Sequence, residues 1–156
     1  MNGLQEFDRS EIVAQLRRIA DALQPEPASD ILEQHVAYRF VMRHGGPRLR
    51  GIASPDPITF AELQGIDRLI TMLRTNTEQF LRGLPCNNVL LYGPRGTGKS
   101  SAVKALLNAY APQGLRMIEM TRESLRYLGD VGDMIRGRTE KYLLFCDDLS
   151  YDADDG

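Results

Sequence analysis

Hydrophobic residues recur along this chain at helical spacing first and in short continuous runs later, and the change divides it in two. Asp8 and Glu11 precede Ile12, Val13, Leu16, Ile19, Ala20 and Leu23, the pattern of a capped amphipathic helix. Two prolines in residues 24–28 break it. Asp30 and Glu33 open a second helix, with Ile31, Leu32, Val36, Phe40 and Val41 on one face, ending at His44-Gly-Gly-Pro47. Residues 47–57 hold three prolines and no sustained period, so they read as a linker, with a boundary near residue 55. Residues 1–55 are thus expected to be a helical N-terminal region with its linker, and residues 56–156 a separate unit.

In the second unit Thr59 and Glu62 form a capping box, followed by Phe60, Leu63 and Ile66 at helical spacing. Gly65 splits that stretch, and a longer helix is expected from Asp67 to Leu81. Turn residues from Leu84 to Asn88 lead into Val89-Leu-Leu-Tyr92, an apolar run of buried-strand type. A helix from Lys99 to Tyr110 stops at Pro112 and Gly114, and Arg116–Met120 reads as a strand. Short helices over residues 121–128 and 131–136 are separated by Gly129, and Tyr142–Cys146 is another strand. This alternation predicts an α/β fold with a parallel sheet covered by helices.

The chemistry concentrates at two strand ends. Gly93-Pro-Arg-Gly-Thr-Gly-Lys-Ser100 matches G-x-x-x-x-G-K-[ST] in full, after an apolar run and before a helix. Gly93, Gly96 and Gly98 permit backbone conformations that turn successive N–H groups toward an anion, and the following helix aims its positive end at the same point. Lys99 is expected to reach the β- and γ-phosphates, and the Ser100 hydroxyl to bind Mg²⁺. The binding loop comprises Gly93, Pro94, Arg95, Gly96, Thr97, Gly98, Lys99, Ser100 and Ser101. Forty-seven residues after Ser100, the strand Leu143-Leu-Phe-Cys146 ends in Asp147-Asp148. A phosphate loop needs an acid there: Asp147 is the metal candidate, and Asp148 the group that polarises the attacking water.

These motifs, with ITFAELQGID at residues 58–67, resemble the AAA+ ATPase superfamily of phosphate-loop NTPases. Within it the chain is similar to an uncharacterised family of bacterial ATP-binding proteins, over residues 58–156 and more loosely before them. The resemblance implies that Leu63, Gly65 and Ile66 lie near the adenine. It also implies Mg²⁺-dependent ATP hydrolysis, assembly into a homo-oligomeric ring and action on a macromolecular partner. Asp148 departs from the glutamate usual at its position. Relatives continue into a sensor strand, an arginine finger and a helical lid, and the sensor strand lies between the strands corresponding to Val89–Tyr92 and Tyr142–Cys146. The expectation is therefore an incomplete sheet from the front of a longer protein, one that binds ATP and ADP but turns ATP over weakly or not at all. Two alternatives remain open: a nucleotide or small-molecule kinase using the same loop, and a non-enzymatic interaction module.

The 156 residues, 42% hydrophobic and 26% charged, suit one domain or one with an appendage. The longest apolar runs are far short of a membrane span, and MNGLQEFD lacks the features of a secretory signal. With Cys86 and Cys146 as the sole cysteines, a disulfide scaffold is excluded and a reduced, cytoplasmic setting is expected. Net charge is −2, which speaks against a general nucleic-acid binder. The stretch from Arg43 to Arg50, with Arg43, Arg48 and Arg50 and Arg39 just before it, runs into the expected linker, where a flexible connection competes with a nucleic-acid contact. Arg136 and Arg138 could serve a neighbouring subunit, or only solubility. His35 and His44 lie away from the acids and mark no metal cluster.

Overall fold

The computed structural model describes residues 13–16 and 28–147. The first expected helix is represented by its helical residues 13–16, and its remainder lies outside the described residues. Helix α1 (Ala28–Gln34) leads into strand β1 (Ala37–Arg43), which turns at His44-Gly45 into strand β2 (Gly46–Gly51). After a 3-10 turn at Phe60–Glu62 come helix α2 (Asp67–Leu81) and helix α3 (Lys99–Tyr110). Strand β3 (Leu115–Met120), a 3-10 stretch at Arg122–Tyr127, helix α4 (Leu128–Met134) and strand β4 (Lys141–Cys146) complete the described fold.

The strands form one mixed sheet in the order β2-β1-β3-β4, antiparallel between β2 and β1 and parallel elsewhere. The fold is α/β, with helices on both faces. On one face Ala37 and Met117 meet Val103 and Leu107 of α3. On the other, Tyr38, Phe40, Ile118 and Met120 enclose Leu32 of α1 and Val131 of α4. Tyr38 and Ile118 have no exposed surface, and burying side chains of this size contributes about 1.5–3 kcal/mol each. Helix α2 covers α3 from outside, joining Leu73 to Ala102, Leu106 and Tyr110. Its grip is polar as well: Tyr110 donates to Glu78 at 2.6 Å and receives Arg74 Nε at 3.2 Å.

Several expectations are corrected. The second helix stops at Gln34, and the residues taken for its continuation are β1. Val36, Phe40 and Val41 fit a helical face, but Tyr38 and Phe40 also alternate with Ala37 and Arg39, and packing selects the alternation. The buried Tyr38 hydroxyl fixes the switch, donating to the Leu32 carbonyl at 2.8 Å and lying against that of His35, at the open end of α1. Second, Gly46–Gly51, which takes in the start of the expected linker, is an edge strand, so the sheet extends across the boundary placed near residue 55. Pro47 is tolerated there because an edge strand leaves some of its N–H positions unpaired.

Third, Val89–Tyr92 is not a strand. Val89, Leu90 and Tyr92 are 51%, 71% and 90% exposed, and only Leu91 turns into the core. A strand requires a neighbour to complete its ladder, and among the described residues this run has none. The helices Asp67–Leu81 and Lys99–Tyr110 and the strands near residues 116–120 and 142–146 form where the sequence expects them. Gly129 lies within α4 rather than between two helices.

Candidate functional site

The glycine-rich segment Gly93–Ser100 forms a loop that runs directly into α3. Gly93, Gly96 and Gly98 take φ of +135°, +78° and +80°, a region that side chains with a Cβ rarely adopt. Gly98 is the N-cap residue of α3, and its carbonyl accepts the Ala102 N–H at 2.8 Å. Within α3, Ala102, Val103, Ala105, Leu106, Leu107 and Tyr110 are buried. An exposed loop is thereby mounted on one of the best-anchored helices of the molecule, whose N-terminal N–H groups face the loop.

The loop is braced internally. Thr97 Oγ1 donates to the Pro94 carbonyl at 2.9 Å. The Lys99 ammonium donates to the carbonyls of Gly93 at 2.9 Å and Pro94 at 2.6 Å, and reaches Thr97 Oγ1 at 3.3 Å. All three of its donors therefore point across the loop. Pro94, Arg95 and Gly96 are exposed at the turn, and Ser101 is half-buried in the first turn of α3.

The end of β4 comes to the same place. Asp147 follows β4 directly, and its Oδ1 accepts a hydrogen bond from Ser100 Oγ at 2.7 Å. The two residues named for metal binding are thus in contact across 47 positions of sequence. Their hydroxyl and carboxylate oxygens are hard ligands that suit Mg²⁺. No group of three His, Cys, Asp or Glu side chains converges among the described residues. Asp148 lies outside the described residues.

Of the three residues assigned to the base pocket, Ile66 is the one brought to the loop: a Cβ on Gly98 would stand 3.3 Å from its Cδ1. Leu63 and Ile66 both pack against the α2–α3 cluster, and Gly65, with φ +72°, is exposed between them. The segment is held by its capping box, in which the Glu62 carboxylate accepts from the Thr59 N–H and hydroxyl, each at 2.7 Å. Those bonds hold the Glu62 carboxyl below its usual range. A groove of about 380 Å³ lined by Phe60, Arg74, Glu78 and Tyr110 lies elsewhere, between α2 and α3, and includes no residue of the loop.

Several positioning residues carried no signal in the sequence. Asn108 of α3 donates to the carbonyls of Asp56 and Ile58, both at 2.7 Å, tethering the approach to the 3-10 turn. Asn76 and Asn87 exchange bonds of 2.8 and 2.9 Å, fixing the entry to the loop against α2. Lone asparagines give no motif to read. The remaining candidates make contacts within the chain. Arg136 pairs with Asp133, and Arg138 pairs with Glu140 at 3.0 Å and Glu33 at 3.5 Å. Burial, then Glu123 and Asp147, push the Cys146 thiol up, so it stays neutral, and Cys86 is an exposed free thiol.

A family described as a protein of unknown function (DUF815) matches residues 33–156, and the chain belongs to it. No curated protein and no solved structure matches the chain. No helix among the described residues is long and apolar enough to cross a membrane.

Proposed function

For this member of DUF815 we propose Mg²⁺-dependent ATP binding by an AAA+-type phosphate-loop module, with hydrolysis in the intact protein. The observation that carries the reading is the 2.7 Å contact of Ser100 with Asp147, at the mouth of a loop whose glycines adopt the required left-handed turns. A lone G-x-x-x-x-G-K-S loop could be a chance turn. A hydroxyl inside it touching the acid at the end of a parallel strand is what metal–phosphate binding needs and what a chance turn would not supply.

In this mechanism the loop N–H groups from Gly93 to Ser101 and the N-terminus of α3 receive the phosphates. Lys99 exchanges its carbonyl partners for the β- and γ-phosphate oxygens, and its charge stabilises the negative charge that develops between them. Ser100 and Asp147 would hold Mg²⁺, which would supply charge neutralisation for the transferred phosphoryl group. Ile66, which lies against Gly98, borders the side of the loop assigned to the base, and Leu63 and Gly65 are assigned to the same pocket by the family resemblance. Asp148 orients the water that attacks the γ-phosphorus, the bond to the β-phosphate oxygen breaks, and ADP and phosphate leave. Ring assembly and movement of a macromolecular partner belong to the same proposal and follow from the family resemblance.

Fluorescence anisotropy with a labelled ATP analogue tests it. The chain should bind with Mg²⁺, unlabelled ATP should compete better than GTP, and Lys99→Ala should weaken binding at least tenfold. Unchanged binding by Lys99→Ala would refute the phosphate-loop role. Phosphate transfer to a small acceptor, faster than release to water, would move the assignment to a kinase.

A further inference from the structure

The β1–β2 hairpin carries chemistry that nucleotide binding leaves unused. Its register pairs Arg39 with Arg50, Val41 with Arg48, and Arg43 with Gly46. Cross-strand partners share a face and alternate residues change face, so all four arginines project from one side of the ribbon. The opposite side carries Phe40 and Leu49, which enter the core. On the arginine side, the cover provided by α3 reaches Ala37 and Met117, and beyond it Arg39, Arg43 and Arg50 are exposed and Arg48 and Val41 half-buried. Arg39 is paired, through Nε at 3.1 Å and Nη2 at 2.7 Å, with Glu119 of β3. Arg43, Arg48 and Arg50 form no ion pair among the described residues.

This arrangement has a cost, since like charges directly opposite on a sheet destabilise it, and Arg39 faces Arg50. Protection of an edge strand accounts for Pro47 and one charge on β2. It does not account for arginines on the inner strand β1 as well. All the cations are arginine, whose planar fork binds phosphate through paired hydrogen bonds. A protein partner would call for an apolar or aromatic centre, and this face offers only Val41. Residues two apart on a strand stand about 7 Å apart, comparable with the separation of successive phosphates along one nucleic-acid strand. The face carries no Asn or Gln to read base edges.

We infer that the arginine face of the β1–β2 hairpin binds the phosphate backbone of nucleic acid without sequence preference. The inference is independent of ATP binding. Anisotropy with the full chain and a labelled DNA duplex, an RNA of the same sequence and polyglutamate, titrated with salt, tests it. Each phosphate contact on duplex DNA contributes about −0.9 to the slope of log K against log salt. Arg43→Ala/Arg48→Ala/Arg50→Ala should therefore flatten the slope by about 2–3 and weaken binding at least tenfold. Arg68→Ala/Arg82→Ala, which removes charge from α2 and its C-cap, should bind as the parent does. If the alanine variant does not melt cooperatively, the glutamine triple replaces it with the same expectation. RNA and duplex responding alike supports a backbone site, and a preference between them assigns the source. No binding by the parent, an unchanged slope in the triple variant, or polyglutamate held as tightly as DNA would each overturn it, the last in favour of an acidic protein.

Discussion

Replacing Gly98 by alanine tests whether the loop is held in the left-handed turn that opens α3. Gly98 and Gly96 have nearly the same φ, +80° and +78°, a conformation that costs an L-residue about 1–2 kcal/mol. Their surroundings differ. A Cβ on Gly98 would meet Ile66 Cδ1 at 3.3 Å, whereas one on Gly96 would meet nothing within 4 Å. Gly96→Ala should lose the backbone cost alone, and Gly98→Ala up to about 1 kcal/mol more, because the half-buried Ile66 must shift. For a chain of this length each kcal/mol lowers the melting temperature by roughly 2–4 °C, so Gly96→Ala should melt about 2–8 °C below the parent and Gly98→Ala a few degrees lower still. In an Ile66→Ala background the difference between the two should vanish. Thermal melts followed by circular dichroism read all of these values. A Gly98→Ala protein melting with the parent, or an excess that persists without Ile66, would refute the reasoning.

Other consequences are equally measurable. A Cβ on Gly51 would stand 2.0 Å from Cδ2 of His35, so Gly51→Ala should cost about 1–3 kcal/mol in urea unfolding. Adding His35→Ala should recover most of that loss, and no recovery would contradict the contact. Burial pushes the Tyr38 hydroxyl up to about 12, so the folded state favours its neutral form. Its contribution to stability is full below the ordinary tyrosine value of 10.0 and is lost as pH rises from there through about 12. Tyr38→Phe should lose less stability over that range than the parent, and an identical alkaline decline would exclude Tyr38 as a source. Asp147→Asn should reduce the Mg²⁺-dependent gain in ATP affinity at least tenfold and leave metal-free binding unchanged, as titrations with and without EDTA would show.

What the sequence reveals depends on how local its cause is. The helices Asp67–Leu81 and Lys99–Tyr110 are legible because apolar periodicity and the Gly and Pro residues that follow each of them agree. The loop from Gly93 to Ser100 is legible because its glycine spacing dictates left-handed turns, and the Ser100–Asp147 contact follows from α3 packing on the sheet with its first turn beside the end of β4. The hairpin is not legible in this way. Val36 to Arg43 satisfies a helical and an alternating pattern together, and the choice falls to Tyr38 and Phe40 packing on Ile118 and Val131, residues about 80 and 90 positions away. Val89–Tyr92 fails in the opposite sense: its composition is that of a strand, but a strand is a property of a pair. The four arginines, read in a line, look like a solvated linker, and only the register of β1 and β2 gathers them onto one face.

The central claim is that the Gly93–Ser100 loop, with Asp147, is a site for Mg-ATP. Thermal denaturation of the chain with and without Mg-ATP, alongside Lys99→Ala, tests it most directly. A ligand bound only by the folded state, at a hundred times its dissociation constant, adds about 2.7 kcal/mol, or roughly 5–10 °C for a chain of this length. The account predicts that rise in the parent and its loss in Lys99→Ala, with both proteins melting cooperatively when no nucleotide is added. A parent whose melting temperature does not move with saturating Mg-ATP, or a Lys99→Ala protein that rises as far as the parent, would contradict it.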